Sequence, residues 1–215
     1  MTAESSRFSR RTALKAALGG LAATAASALP AATPRQTAGP FFPRRDQVDK
    51  DLDMTRIAGH DKAALGEVYV VEGRVLDEDG KPVADALVDI WQANHHGRYD
   101  HEADPNPAPL DPDFQGWARL RTDAEGRYRV RTIKPGAYPV ESGWSRPPHI
   151  HFKVARRGFH ELTTQMYFAG EPLNDVDRLL LAIPEAERPQ LVVAFSTAME
   201  GAPRAGVFDI VLKRA

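Results

Sequence analysis

From Glu67 onward the chain alternates apolar and polar positions with a period of two, in short runs. Val68–Leu76, Ala86–Ala93, Gly116–Arg121, Arg127–Ile133, His149–Ala155, Glu161–Phe168, Leu191–Ser196 and Val207–Leu212 each carry the pattern of a strand with one buried face. Between them lie turn-forming clusters: Asp77 to Pro82, Asp123 to Gly126 and Lys134 to Pro139. One segment, Asp175–Ile183, has the composition of a short helix. A long loop runs from Asn94 to Phe114, and a loop of that length in a compact domain is usually functional. About eight short strands with almost no helix predict an all-β fold, an antiparallel β-sandwich with long functional loops and one short helix.

The chain before Glu67 follows other rules. Residues 33–66 are predicted as an extended Pro-rich arm followed by an irregular polar segment, because proline excludes a helix interior. The adjacent Phe41 and Phe42 of the arm need a surface to pack on, either the domain body or a neighbouring subunit. Residues 1–32 are predicted as a twin-arginine signal peptide. Ser9-Arg10-Arg11-Thr12-Ala13-Leu14-Lys15 precedes an uncharged stretch from Ala16 to Ala28 that ends in the small-residue triplet Ala26-Ser27-Ala28. That stretch is too short and too weakly apolar to span a membrane. The expectation is export to the periplasm or beyond, with no membrane span left after cleavage, and a catalytic β-sandwich over 67–215. The twin-arginine route carries folded proteins, often with a cofactor in place.

Composition narrows the chemistry. The 215 residues include 28 basic and 29 acidic side chains, for a formal net charge of -1. That balance gives no reason to expect nucleic acid or an anionic membrane as partner. Cysteine is absent, so disulfides, thiolate metal sites and a cysteine nucleophile are excluded. Any metal must be held by nitrogen and oxygen.

The stretch Arg146-Pro147-Pro148-His149-Ile150-His151-Phe152 supplies half of such a site. Two histidines two residues apart on a strand share a face. They are either a hydrogen-bonded pair or two metal ligands. Candidate partners are His95, His96, Tyr99 and His101 in the long loop, and Tyr138 in the turn ahead of the strand. A tyrosine ligand restricts the metal, since a phenol of pKa about 10 is held as phenolate only by a strongly acidic cation such as iron(III). Spacing alone does not choose among the five tyrosines, but Tyr69, Tyr128 and Tyr167 lie within strands and read as packed aromatics.

Four segments in order carry a resemblance: Gly97-Arg98-Tyr99-Asp100-His101, Thr132 to Pro139, Arg146 to Phe152, and Thr164-Gln165-Met166-Tyr167-Phe168. With Ile90 to Asn94 and the Thr37-Ala38-Gly39-Pro40-Phe41-Phe42 arm, they resemble the intradiol ring-cleaving dioxygenases, most closely the protocatechuate branch. The resemblance implies one non-haem iron(III) per chain, held by Tyr99, Tyr138, His149 and His151. It implies a catechol-type substrate and O2, with ring opening between the two hydroxylated carbons to a muconate-type diacid. Tyr138 is then the ligand that gives way to substrate and accepts its proton, Arg146 a cation beside the ring, and Gln165 a hydrogen-bond partner near the reacting carbon. Gly39 and Pro40 match arm residues that line the substrate pocket. The chain departs from the branch at Val140, where an aromatic residue often stands, and this puts protocatechuate itself in doubt as substrate. Because all four ligands lie in one chain, a homo-oligomer or monomer is expected.

Two rival readings remain open at this level. Gly73 to Val88 also resembles the opening of transthyretin-like sandwiches, which are non-catalytic binding modules but lack the tyrosine and histidine set. A zinc hydrolase would use the two histidines with a carboxylate such as Asp100.

Overall fold

The computed structural model describes residues 30–45, 47 and 49–215. The twin-arginine leader expected over 1–32 lies, apart from 30–32, outside the described residues. Among the described residues no helix is long and apolar enough to cross a membrane.

Among the described residues twelve strands follow in order: β1 (Val68–Asp77), β2 (Leu87–Trp91), β3 (Trp117–Arg121), β4 (Arg127–Ile133), β5 (Tyr138–Glu141), β6 (Trp144–Arg146), β7 (His149–Ala155), β8 (Leu162–Phe168), β9 (Val192–Val193), β10 (Ser196–Thr197), β11 (Arg204–Val207) and β12 (Ile210–Leu212). One five-stranded sheet has the order β10-β11-β1-β12, with β4 also paired to β1. The second has the order β3-β2-β7-β8-β9, and β5 and β6 form a separate hairpin. The two sheets share one core. Val71, Val75, Val130 and Ile210 from the first meet Val88, Ile90, Ile150, Phe152, Val154 and Met166 from the second, all buried.

The expected all-β sandwich is therefore present, but its sheets are mixed rather than wholly antiparallel. β1 pairs in parallel with β11 and β12, and β8 in parallel with β9. The C-terminal segments return along strands formed far earlier in the chain, and period-two patterning carries no sign of strand direction. The single run expected at Val207–Leu212 divides, because β1 changes partner there. Phe208 N donates to Glu72 O (2.8 Å) and Arg74 N donates to Asp209 Oδ1 (2.8 Å), which takes two residues out of the ladder. The helix expected over Asp175–Ile183 also divides. A 3-10 turn covers Pro172–Val176, Asp177 is extended, and α1 covers only Arg178–Leu181.

Three features position the site. The first is the pleat of β7. Ile150, Phe152 and Val154 enter the shared core, so His149 and His151 face the opposite side of the sheet. Cross-strand pairing sets Tyr167 beside His149, with Gln165 and Trp91 beside His151.

The second is the arm, which covers that outer face. Gln36 N donates to Thr163 O (2.8 Å), and Thr164 Oγ1 donates to Pro34 O (2.7 Å). Phe41 packs on Tyr99 at 4.7 Å between ring centroids, and Phe42 meets Trp91 edge-on at 4.9 Å. The two phenylalanines thus pack on the domain body.

The third is the contact between the Tyr99 loop and the turn before Tyr138. A Cβ at Gly136 would lie 2.5 Å from Gly97 N and 2.5 Å from His95 O, so only glycine lets these backbones approach. Side-chain-to-backbone bonds order the loop itself. Asn94 Oδ1 accepts from His96 N (2.8 Å) and Arg98 N (3.1 Å), and Asp104 Oδ2 accepts from Tyr99 N (2.7 Å).

Two stability tests follow. Gly136→Ala is expected to lower stability by about 1–3 kcal/mol or more, because its methyl meets backbone atoms rather than a flexible side chain. An unchanged thermal midpoint would mean that the two loops do not depend on this approach. The second test concerns Asp77, whose Oδ1 accepts from Asp79 N (2.9 Å) and Lys81 N (2.8 Å) and whose Oδ2 accepts from Arg214. Burial pushes its pKa up, but the Arg214 and backbone donors outweigh burial and leave it below the usual carboxylate value. A depressed folded pKa gives stability that is present above the unfolded value of about 3.9 and lost as pH falls through the folded one. Asp77→Asn should cost about 1–3 kcal/mol at pH 7 and flatten the acid limb of a denaturation-versus-pH series.

Candidate metal centre and substrate cleft

Tyr99, Tyr138, His149 and His151 converge on one point. His149 Nε2 lies 3.2 Å from His151 Nε2, 3.4 Å from Tyr99 Oη and 3.5 Å from Tyr138 Oη. Each side chain is delivered differently. The histidines come from the outer pleat of β7, and Tyr99 comes from the loop after β2. Tyr138 was expected in a turn but opens β5, directly opposite Arg146 in the β5–β6 hairpin. That pairing ties one candidate ligand to the candidate substrate-side cation.

The local electrostatics fit a cation. His149 Nδ1 donates to Pro147 O (2.7 Å), which leaves Nε2 with its lone pair turned to the cluster. Burial first, then the Arg146 charge, then His151, hold the His149 imidazole well below its ordinary pKa. His151 is pushed down to about 3, by burial and then by Arg146, with the Thr37 backbone acting weakly in the other direction. Burial first, then Tyr138, keep the Tyr99 phenol well above its ordinary range. Burial also raises Tyr138, against the lowering effect of Arg146. One imidazole lone pair serves one hydrogen bond well, yet three heteroatoms crowd around it. Two neutral imidazoles and two phenols are a hard nitrogen and oxygen set that suits iron(III), which can displace both phenolic protons. Among the described residues no group of three His, Cys, Asp or Glu side chains gathers, so no carboxylate joins the histidine pair, and Asp100 is exposed.

The other histidines of the long loop take different places. His95 packs against His96 (5.2 Å between centroids), and His101 lies beside Phe41 (5.9 Å). Trp91 stacks on His151 at 4.7 Å and 11°, so it backs a candidate ligand within a small apolar cluster with Tyr99 and Trp117.

A cleft of about 1080 Å³ opens beside this cluster, and Gly39, Pro40, Tyr138, Arg146 and His151 line it. Gly39 has φ +66°, and a Cβ there would lie 3.7 Å from His151 Cε1. Glycine at this position lets the arm lie against the histidine without backbone strain.

Arg146 is 4% exposed and is held from behind. Its Nε donates to Asp177 Oδ1 (2.8 Å), and one terminal nitrogen donates to Gln165 Oε1 (2.7 Å) and Tyr167 Oη (3.1 Å). Gln165 lies outside the cleft lining, and its Nε2 donates to Thr37 O in the arm (2.8 Å). Tyr167, expected as a packed aromatic, also donates its hydroxyl to Gln36 Oε1 (3.1 Å).

Asp177 escaped the sequence reading altogether. It is fully buried and accepts both from Arg146 and from Leu180 N (3.1 Å), as the N-cap of α1. A signal was present, an aspartate directly before Arg178-Leu179-Leu180-Leu181. Starting the helix at Asp175 hid it by making Asp177 an interior residue.

A family model described as Dioxygenase matches residues 37–214. The beta chain of protocatechuate 3,4-dioxygenase from Burkholderia cepacia is 49% identical over 185 residues, which cover 83% of this chain and 78% of that one. Catechol 1,2-dioxygenase 2 from Acinetobacter lwoffii is 37% identical over 157 residues, 65% of this chain and 52% of that protein, so the chain spans about half of its length. Among solved structures, the dioxygenase domain of a dioxygenase–carbohydrate-binding fusion from Streptomyces sp. SirexAA-E is 33% identical with a TM-score of 0.64, covering 86% of this chain and all of that one (100%). The 3-chlorocatechol 1,2-dioxygenase of Rhodococcus opacus 1CP gives a TM-score of 0.67 at 27% identity, over 85% of this chain and 73% of that one. A family match that runs from the arm through the last strand, on a sandwich that gathers two tyrosines and two histidines, means that the chain belongs to the intradiol ring-cleaving dioxygenases.

Proposed function

We propose that this chain binds one iron(III) through Tyr99, Tyr138, His149 and His151. In this reading it opens the ring of a catechol-type diol between its two hydroxylated carbons, and both atoms of O2 enter a muconate-type diacid. The observation that carries the reading is the meeting of two phenol oxygens and one imidazole nitrogen within 3.2–3.5 Å of a second imidazole nitrogen, His149 Nε2. Iron(III) in that site would hold the diol as a dianion and make its ring carbon reactive toward O2.

The protein side of the reaction divides among named residues. Tyr138 lines the cleft and Tyr99 does not, so Tyr138 is the phenol placed to give way to a substrate hydroxyl and to take its proton. His149 and His151 stay neutral and keep their lone pairs available, because burial and the Arg146 charge oppose protonation. Arg146 sets a fixed cation at the cleft wall, where a developing negative charge on the ring is stabilised with little reorganisation. Its aim is fixed by Asp177, Gln165 and Tyr167.

Export by the twin-arginine route belongs to the same reading. Its support is the Ser9 to Lys15 motif, together with a site whose ligands stand at positions 99 to 151 and meet only in the folded chain. Because all four come from one chain, a monomer or homo-oligomer suffices.

The iron-loaded protein should be reddish from phenolate-to-iron(III) charge transfer. It should consume O2 with catechols and give products with muconate absorbance. A colourless protein that binds zinc stoichiometrically and consumes no O2 would sink the reading. Replacing both Tyr99 and Tyr138 by Phe should remove the visible band and lower turnover by about 10²-fold or more, whereas a zinc hydrolase would keep its activity. Asp177→Asn leaves the buried Arg146 charge without its partner, at a cost of about 3–5 kcal/mol. The melting temperature should fall by about 2–4 °C for each of these kcal/mol. Retained stability with unchanged turnover would separate Asp177 from the arginine.

A further inference from the structure

The following inference rests on the dioxygenase reading and concerns which diol the site accepts. The cleft measures about 1080 Å³. Pockets that enclose drug-sized ligands run from about 300 to 1,000 Å³, and a single ring with two hydroxyls needs only a small part of that. Beyond Tyr138, Arg146 and His151 the cleft continues over Val140, Trp144, Leu173, Val176 and Leu179. Val140 is 50% exposed and Val176 58% exposed, so apolar side chains stand in solvent next to the reacting centre.

The charges of the lining point the same way. Among the described residues the lining holds two carboxylates, Asp104 and Glu141, and two cations, Arg146 and Arg178. Arg146 is matched behind the wall by Asp177 at 2.8 Å. Arg178 pairs with Glu141 and lies over the Trp144 ring, 4.9 Å from its centroid. Both cations thus have a carboxylate partner, Arg146 in a buried pair and Arg178 in a solvent-exposed and therefore weaker one. A carboxylate on the substrate ring would lose hydration and would have to compete with Asp177 or Glu141 for a cation, which offsets its gain. An uncharged apolar group would instead cover exposed apolar surface, which is favourable.

We propose that the preferred substrate is a catechol bearing a bulky, uncharged, apolar ring substituent, such as a second aryl ring or a branched alkyl group, rather than a carboxylate. The diol end meets the four-ligand cluster and Arg146, and the substituent lies along Val140, Trp144 and Val176. Val140 stands at the centre of this preference, since an aromatic side chain at that position would fill the space the substituent takes.

The test uses the iron-loaded full chain. O2 uptake is measured with catechol, protocatechuate, 4-phenylcatechol and 4-tert-butylcatechol. Calorimetry separately measures binding of two monophenols, 4-phenylphenol and 4-hydroxybenzoate. The expected result is a kcat/KM for 4-phenylcatechol at least about tenfold above that for protocatechuate, and a similar ratio of affinities between the monophenols. Val176→Lys adds a free cation at an exposed position and should shrink or invert both ratios. Preference for protocatechuate and 4-hydroxybenzoate would overturn the inference and leave the dioxygenase reading standing. Ratios unmoved by Val176→Lys would overturn the placement of the substituent. Failure to cleave any member of the panel would overturn the dioxygenase reading and this inference with it.

Discussion

Strand β7 buries Ile150, Phe152 and Val154 between the two sheets, and the same pleat turns His149 and His151 to the other side. A slip of one residue would send both imidazoles into the core and the three apolar side chains outward. The packing of the sandwich and the aim of the histidines are therefore one constraint. β2 and β8 flank β7 in a fixed register, which sets Trp91, Gln165 and Tyr167 beside the histidine pair. Everything else in the site is added to this face.

What is added comes from three distant segments. The arm lies over the outer face and puts Phe41 and Phe42 against Tyr99 and Trp91. The loop after β2 brings Tyr99, and the hairpin after β4 brings Tyr138 and Arg146. The last two segments approach closely because Gly97 and Gly136 leave room for backbone against backbone. An unpartnered buried charge is costly, so the buried cation of this face is held by several acceptors, although Trp91 Nε1 and His151 Nδ1 nearby are buried without a hydrogen-bond partner among the described residues. That cation is Arg146. Its guanidinium is taken up by Asp177, Gln165 and Tyr167, and through Gln165 and Tyr167 it is linked to the arm at Thr37 and Gln36. The arginine thus serves stability and the proposed chemistry at once, and the short helix α1 is fastened to the site through its own N-cap.

Fold and site were unequally legible. The two-residue repeat revealed the strands, since half-buried strands must alternate, and the His-x-His pair followed from the same rule. Gly/Pro turn signals separated the elements. Strand direction was not legible, which is why the parallel pairings of β1 with β11 and β12 came as a correction. Tyr138 was placed in a turn because Pro135, Gly136 and Pro139 surround it. Its place in a hairpin depends on pairing with Trp144–Arg146, and no local pattern announces that.

The amino-acid sequence by itself determined the all-β class, the nitrogen and oxygen character of any metal site, and the shared face of His149 and His151. These depend on local periodicity and on which side chains exist at all. Only the tertiary structure decided that the hydroxyls of Tyr99 and Tyr138, the pair the resemblance implied, come within 3.4 and 3.5 Å of His149 Nε2, and that Asp177 holds Arg146. It also decided that both cations of the cleft are already matched by carboxylates. Those facts depend on contacts between residues tens of positions apart, and such contacts arise only when the hydrophobic core draws the two sheets together.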